Sequence, residues 1–185
     1  GAARMAAMLA AAERPVMLVG GTRWTACSAR ALESFSAVND VPVVAAFRFH
    51  DIIDNHCPSF VGDAGVAMNA YMKDLLREAD LIVAINIRFG ESTTDGYSLF
   101  DAPKMAAKLV HSHASDGEIG KIYAPDLPIH AGPNAMASAL AGITLPASEA
   151  RTAWRDAARE NYLAAMNAPA QPGDVDMGVI TAHIR

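Results

Sequence analysis

Short apolar runs separated by longer mixed segments constrain the fold of this chain more than any other feature. Residues 16–19, 41–46 and 81–85 contain only apolar side chains and proline. A run without alternating polar residues is typical of a strand buried on both faces, as in a parallel sheet covered by helices. Weaker strand patterns follow at 108–112 and 127–130, and a brief one at 59–61. We therefore expect a sheet of five to six strands.

The segments between these runs have the spacing of amphipathic helices. Residues 25–38 place Leu32 and Phe35 on one helical face, and further helices are predicted at 2–12, 68–78, 133–141 and, more briefly, 115–120. Strands that alternate with helices form βαβ units, whose crossovers are right-handed. The predicted fold class is α/β: a doubly wound, mostly parallel sheet with a Rossmann-like nucleotide-binding topology.

The pattern changes after residue 143, which suggests two parts. We expect a core domain over 1–145, and over 146–185 a helical appendage and linker that lead into a missing C-terminal domain. The appendage has a charged helix at 149–167, on which Trp154, Tyr162 and Met166 share a face that we expect to pack on a neighbouring domain. Because both ends fall within predicted helices, we expect a fragment of a longer chain.

Composition excludes several classes of protein. The 185 residues are 52% hydrophobic and 19% charged, which is incompatible with global disorder. A net charge of −5 without a basic stripe argues against nucleic-acid binding. Two cysteines 30 residues apart form neither a disulfide scaffold nor a cysteine-based zinc site. No stretch is long enough to span a membrane and no secretory signal is present, so we expect a cytoplasmic protein.

Two groups of residues follow predicted strands at the sheet edge where doubly wound folds bind ligands. Gly20, Gly21 and Thr22 follow the first strand and predict either a phosphate contact or a tight turn, since no third glycine completes a dinucleotide fingerprint. Arg88, with Gly90, follows the 81–85 strand and either grips a pyrophosphate or pairs with Glu91 or Asp95.

Two further clusters contain titratable groups. His111 and His113 either chelate a metal or make packing and hydrogen-bonding contacts. The stretches 48–51 and 54–56 hold either an acid–base pair or a loop tied by aspartate and asparagine side chains. Nucleophile-elbow and P-loop motifs are absent from the sequence.

A family resemblance emerges from six short motifs in order. They are RPVMLVGG (14–21), VPVV (41–44), PSFVG (58–62), EADLIVA with RFG (78–84, 88–90), KLVH (108–111) and EIGK (118–121). Together they resemble the central domain of thiamine-diphosphate-dependent enzymes of the acetolactate synthase group, over about residues 2–145. The order and spacing of the six carry the resemblance.

The resemblance implies that this chain is the middle of three α/β domains. In such enzymes thiamine diphosphate and magnesium lie between the flanking domains, usually of two subunits, and the activating glutamate and the magnesium motif belong to those domains. Gly62-Asp63-Ala64 is only superficially similar to the magnesium motif. The resemblance therefore implies no catalytic residue and no metal site here. It implies a scaffold and subunit contact, in a homo-oligomeric carboligase or decarboxylase (a transferase or lyase) acting on a 2-oxo acid.

Some members of this group hold FAD or ADP in the middle domain, and the matching positions are Gly20, Gly21 and Arg88. Three departures favour a vestigial nucleotide fold. His111-Ser112-His113-Ala114-Ser115 lacks the expected carboxylates, Ala131-Gly132 replaces a Gly-Asp pair, and bulky residues fill 48–51. An FAD- or ADP-binding module remains the alternative interpretation.

Overall fold

The computed structural model describes residues 1–167, 172–173 and 175–184. Within these residues the sheet has six strands, all parallel, in the order β3-β2-β1-β4-β5-β6. The strands are β1 (Pro15–Val19), β2 (Val43–Ala46), β3 (Phe60–Ala64), β4 (Leu81–Ile85), β5 (Lys108–His113) and β6 (Leu127–His130). The predicted doubly wound α/β class and Rossmann-like topology are confirmed.

The helices are α1 (Ala2–Ala11), α2 (Ala26–Val38), α3 (Ala70–Glu78), α4 (Pro133–Ala141), α5 (Glu149–Ala165) and α6 (Met177–Ile184). Short hydroxyl side chains cap the starts of α2 and α5. Thr25 accepts a hydrogen bond from the Ser28 amide at the beginning of α2, and Ser148 does the same for Arg151 of α5. The predicted helix at 115–120 is a 3-10 turn, Asp116–Glu118, and a second 3-10 turn spans His50–Ile52.

Strands β1 to β5 contribute to two cores, because successive side chains point to opposite faces, whereas β6 contributes to one. Met17 and Val19 of β1 face the side covered by α1, α2 and α4. Val16 and Leu18 face the side where α3 packs together with the loop between β4 and β5. Both faces are therefore closed to solvent, as the apolar runs predicted.

The edge strand β3 is irregular, and the sequence only partly predicted it. Val43 pairs with Phe60 but Ala45 pairs with Asp63, so β3 carries one extra residue there. Gly62 lies in this bulge with φ +112, a backbone conformation that favours glycine. The connection from β2 to β3 contains a 3-10 turn instead of a full helix.

Helix α5 packs against β3 and α3. Arg159 donates from Nη1 to the Phe60 carbonyl oxygen at 2.6 Å, and the Tyr162 and Phe60 rings meet edge to face at 5.3 Å. Trp154 donates from Nε1 to the Pro15 carbonyl oxygen at 3.0 Å. The expectation that Trp154 and Tyr162 would pack on a neighbouring domain is therefore wrong, since they contact this chain's own sheet. The boundary near residue 145 stays a prediction.

None of the residues of α6 is buried. Among the described residues no helix is both long and apolar enough to cross a bilayer.

Candidate functional site

The crevice between the carboxyl ends of β1 and β4 is the point where the strand order reverses. From β1 the chain continues to β2 and β3 on one side, and from β4 to β5 and β6 on the other. Ligands of doubly wound sheets bind at such a switch point. Gly20 and Gly21 follow β1 there, and Asn86 follows β4.

Side chains of the protein itself fill the space around the two glycines. A Cβ on Gly20 would lie 2.9 Å from both Ala46 Cβ and Ile87 Cγ2. Gly21 has φ +69, and a Cβ there would overlap the Asn86 carbonyl oxygen and side chain. Close packing of the chain on itself thus accounts for both glycines, as the tight-turn interpretation requires. Their nucleotide contact stays a prediction.

Asn86 organises the crevice, and sequence reasoning did not single it out. Its residue is only 6% exposed, and its Nδ2 donates to the Thr22 carbonyl oxygen at 3.0 Å and to the Gly20 carbonyl oxygen at 3.4 Å. Trp24 donates from Nε1 to the same Gly20 oxygen at 2.9 Å. A polar residue directly after a buried strand was the available signal. Nothing in the sequence indicated that Asn86 would bind Thr22, which lies 64 residues away.

A cavity of about 400 Å³ opens beside this crevice, between the start of α2 and the loop after β2. Gly21 and Thr22 line it together with Arg23, Arg48, Phe49 and Asp51. Arg48 lies over the Phe47 ring, 4.9 Å from guanidinium carbon to centroid. The start of α2 and the two arginines favour an anionic group in this cavity, whereas Asp51 opposes one.

Arg88 and Gly90 border a separate, smaller cavity of about 170 Å³. Arg88 Nε lies 3.9 Å from Glu118 Oε2, so its partner is Glu118 and the expectation of Glu91 or Asp95 is wrong. Asp95 instead binds Lys73 at 2.6 Å, and this hydrogen bond lowers the pKa of the Asp95 carboxyl. The structure thus divides the candidate residues between two cavities. The second is smaller than the roughly 300–1,000 Å³ typical of ligand sites.

The two histidines of β5 lie on one face of the sheet, because the strand continues through His113. His111 is 1% exposed, and its Nδ1 accepts from the Gly120 amide at 3.5 Å. Its Nε2 therefore carries the proton and donates to the Ile87 carbonyl oxygen at 3.2 Å. Burial lowers the pKa of His111. His113 Nδ1 accepts from the Ser115 amide at 3.0 Å.

Side-chain hydrogen bonds tie the loop between β2 and β3. Asp54 Oδ1 accepts from the His56 amide at 2.9 Å, and Glu33 Oε2 accepts from the Asp54 amide at 3.2 Å. His50 Nε2 lies 3.4 Å from Asp63 Oδ1. The tied-loop interpretation is confirmed for the Asp54 side chain, and Asp63 is engaged by a histidine. Within 1–167, 172–173 and 175–184, no three histidine, cysteine or acidic side chains are grouped as metal ligands.

Comparison with known proteins gives a consistent result. The family described as "Thiamine pyrophosphate enzyme, central domain" matches residues 2–140. The acetolactate synthase large subunit of Parasynechococcus marenigrum is 30% identical over 118 residues, which cover 64% of this chain and 19% of that protein. The acetolactate synthase isozyme 2 large subunit of Escherichia coli K12 is 26% identical over 72% of this chain and 24% of that protein. The glyoxylate carboligase of Escherichia coli O157:H7 is 27% identical over 85% of this chain and 26% of that protein. The matches thus span about a fifth to a quarter of these relatives.

Proposed function

This chain belongs to the thiamine pyrophosphate enzyme central-domain family, and we propose that it serves as the non-catalytic middle domain of a longer enzyme. That enzyme acts on a 2-oxo acid, as a carboligase of the acetolactate synthase type or as a decarboxylase. Within it the domain is a scaffold and a subunit contact. The observation that carries the proposal is the family match over residues 2–140, joined to a switch-point crevice that this chain's own side chains fill.

Thiamine diphosphate, on which the family depends, supplies an electron sink for the carbanion left when a 2-oxo acid loses carbon dioxide. Asp63 and His111 do not fit a diphosphate–magnesium site, because their polar atoms are engaged within the chain. Asp63 faces His50, and the ring nitrogens of His111 bind backbone groups. We therefore assign thiamine diphosphate and magnesium to other parts of the longer enzyme and derive no chemical step here.

The proposed partners are the flanking domains of the longer chain and a second subunit of the same enzyme. The relatives that match are four to five times longer than the matched segment, since it covers 19–26% of them. A domain with both sheet faces closed supports neighbours through its outer surfaces. Homo-oligomerisation of the longer enzyme is part of this proposal.

The alternative function, an FAD- or ADP-binding module, is not favoured. It needs Gly20, Gly21, Thr22, Arg88 and Gly90 to act on one ligand. Gly21 and Thr22 border one cavity, however, and Arg88 and Gly90 border another. The purified chain distinguishes the scaffold function from the nucleotide-binding function. A colourless protein whose melting temperature does not change on addition of FAD or ADP supports the scaffold. A yellow protein, or a shift that Arg88→Gln removes, favours the module.

The test of the proposed function compares this 185-residue chain with a protein extended by its neighbouring coding sequence on both sides. Each is assayed with thiamine diphosphate and magnesium for carbon dioxide release from pyruvate and from glyoxylate. We expect turnover only by the extended protein. Turnover by the chain alone, or an extended protein that does not bind thiamine diphosphate in calorimetry, would overturn the proposal.

A further inference from the structure

A groove of about 430 Å³ lies on the outer surface between α3 and α5, away from the switch-point crevice. Helix α3 contributes Tyr71, Asp74, Leu75 and Glu78 to its wall. Helix α5 contributes Trp154, Asn161 and the alanines 157 and 158. The small alanine side chains leave the space open. A cavity of this volume lies within the range of ligand sites.

The floor of the groove is apolar and its aromatic residues are fixed in place. Leu75 and Ala158 form the floor and are 6% and 3% exposed. Trp154 is tied to the Pro15 carbonyl oxygen at 3.0 Å, and Tyr71 donates to the Val61 carbonyl oxygen at 3.2 Å. Burial, together with the charge of Asp63, raises the pKa of Tyr71 to about 12, so this phenol stays a neutral donor. The indole and phenol are therefore oriented before any ligand arrives.

The rim of the groove carries two unpaired negative charges. Asp74 and Glu78, one helical turn apart and both exposed, have no ion pair or hydrogen-bonding side-chain partner among the described residues. The neighbouring cations of α3 are engaged elsewhere, because Lys73 binds Asp95 at 2.6 Å and Arg77 lies 3.5 Å from the Ser98 and Leu99 carbonyl oxygens. Within the described part of the chain, no cation is therefore paired with either carboxylate.

Both carboxylates are in unfavourable positions for an isolated helix. Like charges four residues apart repel, and Glu78 is the last residue of α3, where the helix dipole is also negative. A cation placed between Asp74 and Glu78 relieves both effects at once. The aromatic ring of Trp154 adds a second attraction for a cation in the same groove.

We propose that this groove receives one arginine or lysine side chain from the surface of a partner protein. The aliphatic stem lies on Leu75 and Ala158, and the charged group reaches Asp74 and Glu78 beside Trp154. From Tyr71 to Glu78 the groove is about 10 Å long at 1.5 Å per residue, which suits a single inserted side chain better than a whole helix. Aromatic residues and arginine are common anchors of protein interfaces. The proposal is independent of the scaffold function.

The test uses an alanine-rich helical peptide with one central arginine and follows the two tryptophan indole N–H signals by NMR, assigned through Trp24→Phe. We expect the arginine peptide to move the Trp154 signal, and the same peptide with the neutral isostere citrulline to leave it in place. Asp74→Asn with Glu78→Gln should weaken binding about tenfold or more. The matched control, Glu91→Gln with Asp101→Asn, changes the net charge equally at exposed sites outside the groove and should bind normally.

Three results would overturn the proposal. Equal responses to the arginine and citrulline peptides would show that charge is not recognised. Equal weakening by both double variants would show a general effect of net charge. Tighter binding of free spermidine than of the arginine peptide would assign the groove to a small polyamine instead of a protein partner.

Discussion

Asn86 donates from Nδ2 to the carbonyl oxygen of Thr22 at 3.0 Å, and this contact joins the loop after β1 to the loop after β4. The two residues close the crevice at which sheets of this topology bind nucleotides. Loss of this hydrogen bond would release the loop that borders the cavity of about 400 Å³. The contact therefore fixes the position of the loop that carries Thr22 against the end of β4.

Asn86→Ala should lower the free energy of unfolding by about 1–3 kcal/mol, because the Thr22 carbonyl oxygen loses its side-chain donor and the Gly20 carbonyl oxygen keeps only Trp24. Alanine at a φ of +55 adds strain of about 1–2 kcal/mol. Asn86→Gly removes the same hydrogen bonds but accepts this φ, so the difference between the two variants isolates the backbone contribution. Urea denaturation measures both, and unchanged stability in both variants would contradict the assigned role.

Gly21→Ala should destabilise the protein more than Gly96→Ala. Both glycines have similar left-handed backbones, φ +69 and φ +66, so both substitutions incur about the same strain. A Cβ at Gly21 additionally overlaps Asn86, whereas nothing lies within 4 Å of a Cβ at Gly96. Thermal unfolding of the pair measures the difference. Equal melting temperatures would show that the crevice can widen without cost.

The stability of the domain should fall as the pH drops below about 6.5, because burial lowers the pKa of His111 in the folded state. Between that lowered pKa and the unfolded value of about 6.5, the unfolded chain binds a proton that the folded protein does not. Acid therefore favours unfolding, and the contribution of His111 is fully present above this window. Urea denaturation at pH 7.5 and at pH 5.5 measures the effect.

The control for this pH dependence is a second histidine variant. His111→Gln should reduce the difference in unfolding free energy between the two pH values. His56→Gln, at an exposed position of the loop between β2 and β3, should leave that difference as it is. A wild-type protein with equal stability at both pH values would refute the assignment.

Truncation after residue 145 should destabilise the domain strongly, whereas truncation after residue 167 should not. The first deletion removes α5, whose Arg159 binds the open edge of β3 and whose Arg151, 2% exposed, donates from Nε to the Asn39 carbonyl oxygen at 2.7 Å. It also uncovers Phe60 and Leu75 and removes the hydrogen bond of Trp154 to the Pro15 carbonyl oxygen of β1. The melting temperatures of the two truncated proteins test this. Equal values would support the division into a core of 1–145 and an independent appendage.

Local sequence patterns were sufficient for most of the sheet. The run at 81–85 and the pattern at 127–130 match β4 and β6 residue for residue, and Pro133 marks the start of α4 as proline in a first helical turn predicts. The β2 strand begins at Val43, two residues later than predicted. The Pro42 carbonyl oxygen still accepts from the Met17 amide at 2.9 Å, so hydrogen bonding to β1 begins one residue before β2.

The candidate site was less predictable than the fold. Gly20, Gly21 and Thr22 lie at the predicted sheet edge, but their neighbour Asn86 was not anticipated, nor was Glu118 as the partner of Arg88. Both contacts join residues that are 64 and 30 positions apart in the sequence. No periodicity within one element records which distant side chain an element meets.

The sequence by itself determined the class of fold, because burial of a strand on both faces demands an unbroken apolar run. It also indicated the family, through the resemblance of six short motifs that occur in the expected order. Only the tertiary structure decided that α5 closes the β3 edge, that Asn86 closes the switch point and that two carboxylates flank an open groove. An amphipathic pattern predicts that one face of a helix will be buried. Which surface covers that face depends on how all the elements pack together.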